Sequence, residues 1–514
     1  MIVLGDIPRK YARLEPGKEC LVCEDTRLTW KELNDRVNRL ANGLAELGAG
    51  KDTKVAVLAI NCHRYVEAYY ALAKLGAVAV PLNLRLTPEE LTYVIDNSEA
   101  EMLMVGPAFV EVAGEILPGL ERVNHTISFE APREGWIGYE ELVERSSGAE
   151  PEAEVDEDDL CHILYTGGTT GLPRGAMISH RSYITLAIAV TLPYGIDTDG
   201  AALQILPLFH LAWWPTLMAH FGGAKAVMVK RLDFDEILSM IERERITGLC
   251  MVPVLFNWLL DFPDLDKYDL SSMKVYVYGG APMPADLLRR CFDRFGPKFT
   301  QAYGLTECVV GCGLYEEDHV VDGPPELTRR LSSCGRETAL SEFRVVDEND
   351  EEVAVGEIGE MVTRGKGVMK GYWKNPELTA EVMRGGWLHT GDMARVDEDG
   401  YIYIVDRKND MIITGGENVY PFEVEKVLYE HPAVLEAGVV GLQEPKWGEM
   451  VTAVVSLKQG EQATEEELIA FAKERLAGYK CPKKVVIMAE LPKTPIGKVL
   501  RREVREMLQA QSAE

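Results

Sequence analysis

Between Leu28 and Asn83 the apolar positions switch repeatedly between two spacings. Leu33, Val37, Leu40, Leu44 and Leu47 recur every three or four residues, the repeat of a helix with one buried face. Thr29 and Glu32, just ahead of them, supply the two halves of a capping box. KVAVLAI (54–60) is instead an unbroken apolar run and reads as a buried strand; HRYVEAYYALAKLG returns to helical spacing, and AVAVPLN (77–83) is the next strand. Thr87 restarts a helix at TPEE, with Pro88 in its first turn. Strands alternating with helices predict an α/β region, with helices packed on a largely parallel sheet.

The alternation continues downstream. GAEPEAEVDEDD (148–159) is acidic and poor in large apolar groups, so it reads as a solvated connector between lobes. CHILYT follows as a strand, and KVYVYGG (274–280) marks a second α/β region. From 342 to 360 the pattern is strand-rich, with DENDEE as a hairpin turn. Beyond YIYIVDRKND (401–410) a short unit has its own helices, FEVEKVLYEH and EEELIAFAKERLAG, and apolar strands around 435–441 and 451–457. A chain of 514 residues exceeds what one core usually supports. The expected fold is therefore α/β: a large N-terminal region, 1–408, of mixed and mainly parallel sheets with packed helices plus a β-rich part, then a small α+β domain, 409–514, with a hinge near Asn409.

Charge and cysteine usage narrow the partners. Lys and Arg total 54 against 82 Asp and Glu, a net charge of −28, which argues against nucleic acid. The ten cysteines are scattered singly apart from Cys20 and Cys23, which lack the second pair of a zinc site, so a reduced, cytoplasmic protein is expected. MIVLGDIPRKYARLEPG has no long apolar core behind a basic start, so no signal peptide is expected. The most apolar stretch, 205–229, is interrupted by His210, Pro215, His220, two glycines and Lys225, so no transmembrane segment is expected. A monomer or homodimer is anticipated.

The chemistry is concentrated in YTGGTTGLPRGAMISH (165–180). A strand running into glycines and hydroxyls offers backbone N–H groups and Thr donors to a polyphosphate, because bare backbone lets oxygens approach closely. An ordinary turn would explain two of these glycines, but not TGGTTG ending in Pro-Arg-Gly. The Walker pattern GxxxxGK[ST] is absent.

YTGGTTGLPRGA resembles the phosphate loop YTSGTTGxPKG of AMP-forming acyl-CoA synthetases, a group related to luciferases and peptide-synthetase adenylation domains. Gly168 stands in place of the usual Ser, and Arg174 in place of Lys. Further similarities follow in the family's order: QAYGLTE (301–307) for adenine and magnesium, GWLHTGD (386–392) for ribose, DRKNDMIITGGENVYPFEVE (406–425) for the crossover, and PKTPIGKVLRR (492–502) for the C-terminal lysine loop.

The resemblance implies a role for each matching residue. Thr166, Gly167, Gly168, Thr169, Thr170, Gly171 and Arg174 would hold phosphates, and Gly279, Gly280, Ala281 and Pro282 would line the adenine and acyl pockets. Gln301, Ala302, Tyr303 and Gly304 would receive adenine, with the Tyr303 ring as its stacking face; Thr306 would donate to the α-phosphate and Glu307 ligate Mg²⁺. Asp392 and Arg407 would take the ribose, and His210 and Trp214, with Gly279, Gly280 and Ala302, would wall the acyl pocket. Lys498 would act in adenylation, Asn409 would be the pivot of a mobile C-terminal domain, and Gly415, Gly416 and Glu417 would shape the CoA channel. The implied activity joins a small-molecule carboxylic acid to CoA through an acyl-adenylate, using ATP and Mg²⁺. Medium- or long-chain fatty, alicyclic and aromatic acids all stay open. So do a non-CoA acceptor and a noncatalytic nucleotide-binding protein.

Overall fold

Local signals become elements where the sequence places them. The Thr29 hydroxyl accepts the Glu32 N–H at 3.3 Å and Glu32 Oε2 accepts the Thr29 N–H at 2.8 Å, which starts helix Trp30–Glu46. Thr87 and Glu90 repeat this reciprocal cap, with Pro88 opening helix Pro88–Asn97. The structure is a computed structural model that describes residues 3–130, 133–166, 173–194, 198–281, 283–309, 311–414, 417–444, 448–493 and 499–513.

Two compact units are present: Met1–Phe343 with Thr363–Leu388, and Arg344–Val362 with His389–Glu514. The first contains two large sheets. A seven-stranded one runs, in spatial order, Ile137–Gly138, His125–Ser128, Met102–Val105, Lys54–Leu58, Val78–Pro81, Leu160–Thr166 and Arg174–Ser179, parallel throughout except for the last pair. A nine-stranded one is parallel from Phe299–Tyr303 through Val275–Gly279, Gly248–Met251, Ala201–Gln204 and Lys225–Met228 to Glu19–Cys23, with antiparallel strands at both edges. The α/β reading holds.

The acidic connector does not separate lobes. Strand Leu160–Thr166, which follows it, pairs with Val78–Pro81 in the sheet formed by the preceding residues (Ala79 opposite His162). Strand Glu19–Cys23 crosses in the other direction and joins the nine-stranded sheet. The acidity has a local cause: Glu150 accepts from the buried Lys74 at 2.7 Å and from Asn34 at 2.8 Å.

In the second unit, strands Val434–Glu444 and Gly448–Leu457 form a long antiparallel pair that Lys484–Ile487 extends. Helices Pro421–Tyr429 and Glu465–Lys473 cover it through Val424, Leu428 and Leu468, packed on Val439, Val451 and Val455. Asn409 lies inside this unit, in the single turn Lys408–Asp410. The boundary expected at 408/409 concerns a pivot, which packing density does not locate. Among the described residues, no helix is long and apolar enough to cross a membrane.

Candidate active site

Two motif loops leave the carboxyl ends of neighbouring parallel strands, where open α/β sheets place their ligands. Val275–Gly279 and Phe299–Tyr303 run in register, Gly279 opposite Ala302. A methyl group at Gly279 would collide with the Ala302 carbonyl oxygen, so the strand ends approach this closely only with glycine there. Gly280 turns the chain at φ 75°. Gln301 is buried, and its Oε1 has no hydrogen-bond partner among the described residues. Tyr303 is half-buried and Gly304 exposed; the loop beyond them closes where the Gly311 N–H meets the Tyr303 carbonyl at 3.0 Å. Within that loop Val309 sits at φ 52°, a left-handed conformation that a β-branched residue adopts only under constraint.

Thr306 and Glu307 lie in this loop, and Glu307 is held from two directions. Its carbonyl accepts the Met369 N–H at 2.8 Å, and its carboxylate accepts the Tyr372 phenol at 2.7 Å. The same 369–373 segment lies along strand Arg174–Ser179: Tyr372 bridges to Ala176, and the Trp373 N–H donates to the Gly175 carbonyl at 2.7 Å. Arg174 therefore opens a strand that is tied through Tyr372 to Glu307. Across the hairpin it faces Thr166. Gly167, Gly168, Thr169, Thr170 and Gly171 lie outside the described residues, as does Pro282, while Ala281 is half-buried beside Gly280.

The second unit has its own constellation. Asp392 and Arg407 are partners across strands Trp387–Val396 and Ile402–Arg407, with Arg407 Nε 2.7 Å from Asp392 Oδ1. Asp392 is buried and follows Gly391, whose φ of 72° turns the strand. Nearby, burial would raise the Glu360 carboxyl, but hydrogen bonds from Lys408 at 2.9 Å and His389 at 3.1 Å prevail and hold it below the usual carboxylate range. Glu417 is exposed in strand Glu417–Val419, opposite Thr414; Gly415, Gly416 and Lys498 lie outside the described residues, as does the Asn409 side chain.

The family model described as AMP-binding enzyme matches residues 9–373, and that of the AMP-binding enzyme C-terminal domain matches 423–498. The chain belongs to the AMP-binding enzyme family. It is 38% identical to a feruloyl-CoA synthase of an Amycolatopsis species, over 98% of each chain. It is 34% identical to the long-chain-fatty-acid–CoA ligase FadD13 of Mycobacterium tuberculosis, over 98% of this chain and 96% of the relative. Among solved structures, ATP-bound MatB from Rhodopseudomonas palustris superimposes with a TM-score of 0.89 at 29% identity, over 99% of both chains. The enzyme is an AMP-forming acyl-CoA synthetase, with ATP and CoA as reactants and Mg²⁺ as the metal.

The synthetase's expected acyl wall is divided between core and surface. Trp213 is fully buried against Tyr69 and Tyr183 at ring distances of 5.1 and 5.2 Å, whereas Trp214, which starts helix Trp214–Phe221, is only half-buried. His210 keeps an exposed edge, yet surrounding protein desolvates it and lowers its pKa, with Arg85 pushing the same way. That combination is what the rim of a concavity produces. Leu211, Trp214, Ala302 and Leu305 all pack on one core. Two groups were not visible in the sequence: Tyr372, whose only hint is the aromatic pair in GYWKNPE, and the half-buried Arg501, which nothing distinguishes from Arg502 except its place on the helix face.

Proposed function

We propose that this synthetase activates a bulky carboxylic acid, with aryl and alicyclic acids ahead of long-chain fatty acids, and hands the acyl group to CoA. The supporting observation is the small-residue lining at the carboxyl ends of Val275–Gly279 and Phe299–Tyr303, where Ala302 carries only a methyl and the place of a side chain at Gly280 meets nothing nearer than a Val252 carbon at 3.6 Å. The naming of the relatives supports the same direction, feruloyl at 38% identity against a long-chain fatty acid at 34%.

In the first half-reaction a carboxylate oxygen attacks the α-phosphorus and pyrophosphate leaves; in the second the CoA sulfur attacks the acyl carbon and AMP leaves. A carboxylate is already nucleophilic, so the protein's task is to overcome repulsion between anions and to orient them. Arg174 and Lys498 supply fixed positive charge, and Thr166, with the glycines and threonines of 167–171, supplies donors to the phosphates. Thr306 donates to the α-phosphate, Tyr303 stacks on adenine, and the unsatisfied Gln301 Oε1 suits an amino donor. Asp392 accepts ribose hydroxyls beside Arg407.

Glu307 is the residue that would hold Mg²⁺. The fit is chemical: a carboxylate is a hard oxygen donor, and no group of three His, Cys, Asp or Glu among the described residues forms a closed cage, as suits an ion that takes one or two carboxylates plus substrate phosphates. The ion's contribution is to neutralise phosphate charge. Asn409 is the pivot about which residues 409–514 turn between half-reactions, which brings Gly415, Gly416 and Glu417 to the CoA channel. A panel of cinnamate-type, alicyclic and fatty acids, scored for CoA-dependent AMP release, tests the substrate reading. The highest kcat/KM should fall on an aryl or alicyclic acid; a clear optimum at acetate or at a C16 chain would reject it.

A further inference from the structure

Arg501, the first residue of helix Arg501–Ala513, is 16% exposed and its guanidinium meets three carboxylates. Nε and Nη2 donate to Glu425 at 2.9 and 2.7 Å, and Nη1 donates to Asp406 at 2.7 Å and to Asp410 at 3.1 Å. These acids fall on opposite sides of Asn409 in the chain. Asp406 precedes it, while Asp410 and Glu425 follow. Asp406 also accepts the Phe422 N–H at 2.5 Å and the Arg407 N–H at 2.7 Å.

A turn at residue 409 divides this set cleanly. Arg501 keeps its three contacts with Glu425 and Asp410, and Asp406 keeps the Arg407 N–H, so neither charge is stranded. What breaks is the Asp406 contact with Arg501 and with Phe422. Three carboxylates around one guanidinium repel one another; burial raises the pKa of Glu425, and Asp406 pushes it further the same way. Parting Asp406 from the set therefore removes its repulsion of Glu425 as it gives up the 2.7 Å contact with Arg501.

We infer that Asp406 and Arg501 form a latch across the pivot, a pair of positioning residues that sets how the enzyme divides its time between the adenylating and thioester-forming arrangements. The inference rests on the pivot proposed at Asn409. Arg501 lies three residues after Lys498 in the sequence, so the latch holds chain contiguous with the lysine proposed to act in adenylation.

The test uses the whole enzyme with donor and acceptor dyes on Glu111→Cys and Glu466→Cys, both exposed sites, one in each unit; the ten native cysteines are buried. Asp406→Asn should shift the ratio of the two dye-distance populations by about tenfold, the size of one charge-assisted hydrogen bond. It should also move acid-dependent ATP–pyrophosphate exchange and thioester formation from pre-made acyl-AMP in opposite directions. Arg501→Lys, which keeps the charge but loses the fork, should do the same more weakly, and it replaces Asp406→Asn if that variant fails to fold. Asp410→Asn, which removes a contact on one side only, should leave the populations in place. Unchanged populations in Asp406→Asn, or two half-reactions slowed by one common factor, overturn the latch. Asn409→Pro separates the two ideas: behaviour like wild type overturns the pivot, whereas a locked enzyme alongside an inert Asp406→Asn overturns the latch alone.

Discussion

The Glu307 carboxylate accepts a phenolic hydrogen bond from Tyr372, and that contact orients an otherwise flexible side chain on a loop strained at Val309. Glu307→Gln replaces a hard anionic oxygen by an amide and should raise the Mg²⁺ needed for half-maximal adenylation by more than tenfold. Tyr372→Phe leaves the carboxylate but frees its orientation, with an expected loss of up to about tenfold. Mn²⁺ paramagnetic resonance in the presence of ATP reads both without turnover; unchanged metal affinity in Glu307→Gln would remove it from the site. Trp214 and Trp213 show the limit of reading single residues. Adjacent in sequence and identical in chemistry, they separate into a half-buried helix start and a fully buried ring among Tyr69 and Tyr183, a distinction set by the chain's path and not by composition. Trp214→Ala should change the ratio of kcat/KM between a ring acid and a linear one by about tenfold and leave the KM for ATP near its starting value. An equal fall for all acids, together with a lower melting temperature, would assign Trp214 to the core instead.

Elements were legible where a local rule fixes them. Reciprocal caps at Thr29 and Thr87, buried runs such as KVAVLAI, and helical spacing after His63 depend on neighbours a few residues apart. Pairing between distant strands was not legible: 148–159 reads as a divider by composition, yet the strand after it returns to the first sheet because a slot beside Val78–Pro81 is open to it. The same holds for the Tyr372–Glu307 contact, 65 residues apart. The Gly279–Ala302 register makes an element-scale prediction. Gly279→Ala forces a methyl against a backbone carbonyl, which cannot rotate away, so it should cost about 1–3 kcal/mol of stability and weaken ATP binding. At Gly280 the nearest atom to an added methyl is a Val252 side-chain carbon at 3.6 Å, so the cost of Ala there is limited to about 1–2 kcal/mol of left-handed strain. Equal stability and ATP affinity of Gly279→Ala and wild type, by urea unfolding and calorimetry, would contradict the close approach.

At the scale of the molecule, buried histidines couple stability to pH. Burial pushes His162 down to about 3 and His180 and His220 down to about 4, from an ordinary value of 6.5. Each is neutral when folded: His162 meets the Tyr183 hydroxyl at 2.6 Å, and His220 meets Tyr70 at 2.9 Å. Since the folded values lie below the unfolded one, the unfolded chain binds more protons in acid. The stabilisation is complete above about pH 6.5 and is lost as pH falls toward the folded values. At pH 5.5 each group costs about 1.4 kcal/mol, roughly 4 kcal/mol for the three. The urea midpoint should therefore fall between pH 7.5 and 5.5, and less steeply in His162→Gln; a flat profile would refute the neutral assignment. The central claim, that one chain makes an acyl-adenylate and then a thioester, is tested most directly by a single-turnover mass-spectrometric assay. Enzyme, acid, ATP and Mg²⁺ without CoA should yield bound acyl-AMP and one equivalent of pyrophosphate, and addition of CoA should convert that acyl-AMP into equal amounts of acyl-CoA and AMP. Release of ADP and phosphate, or an acyl-AMP that CoA leaves untouched, would contradict it.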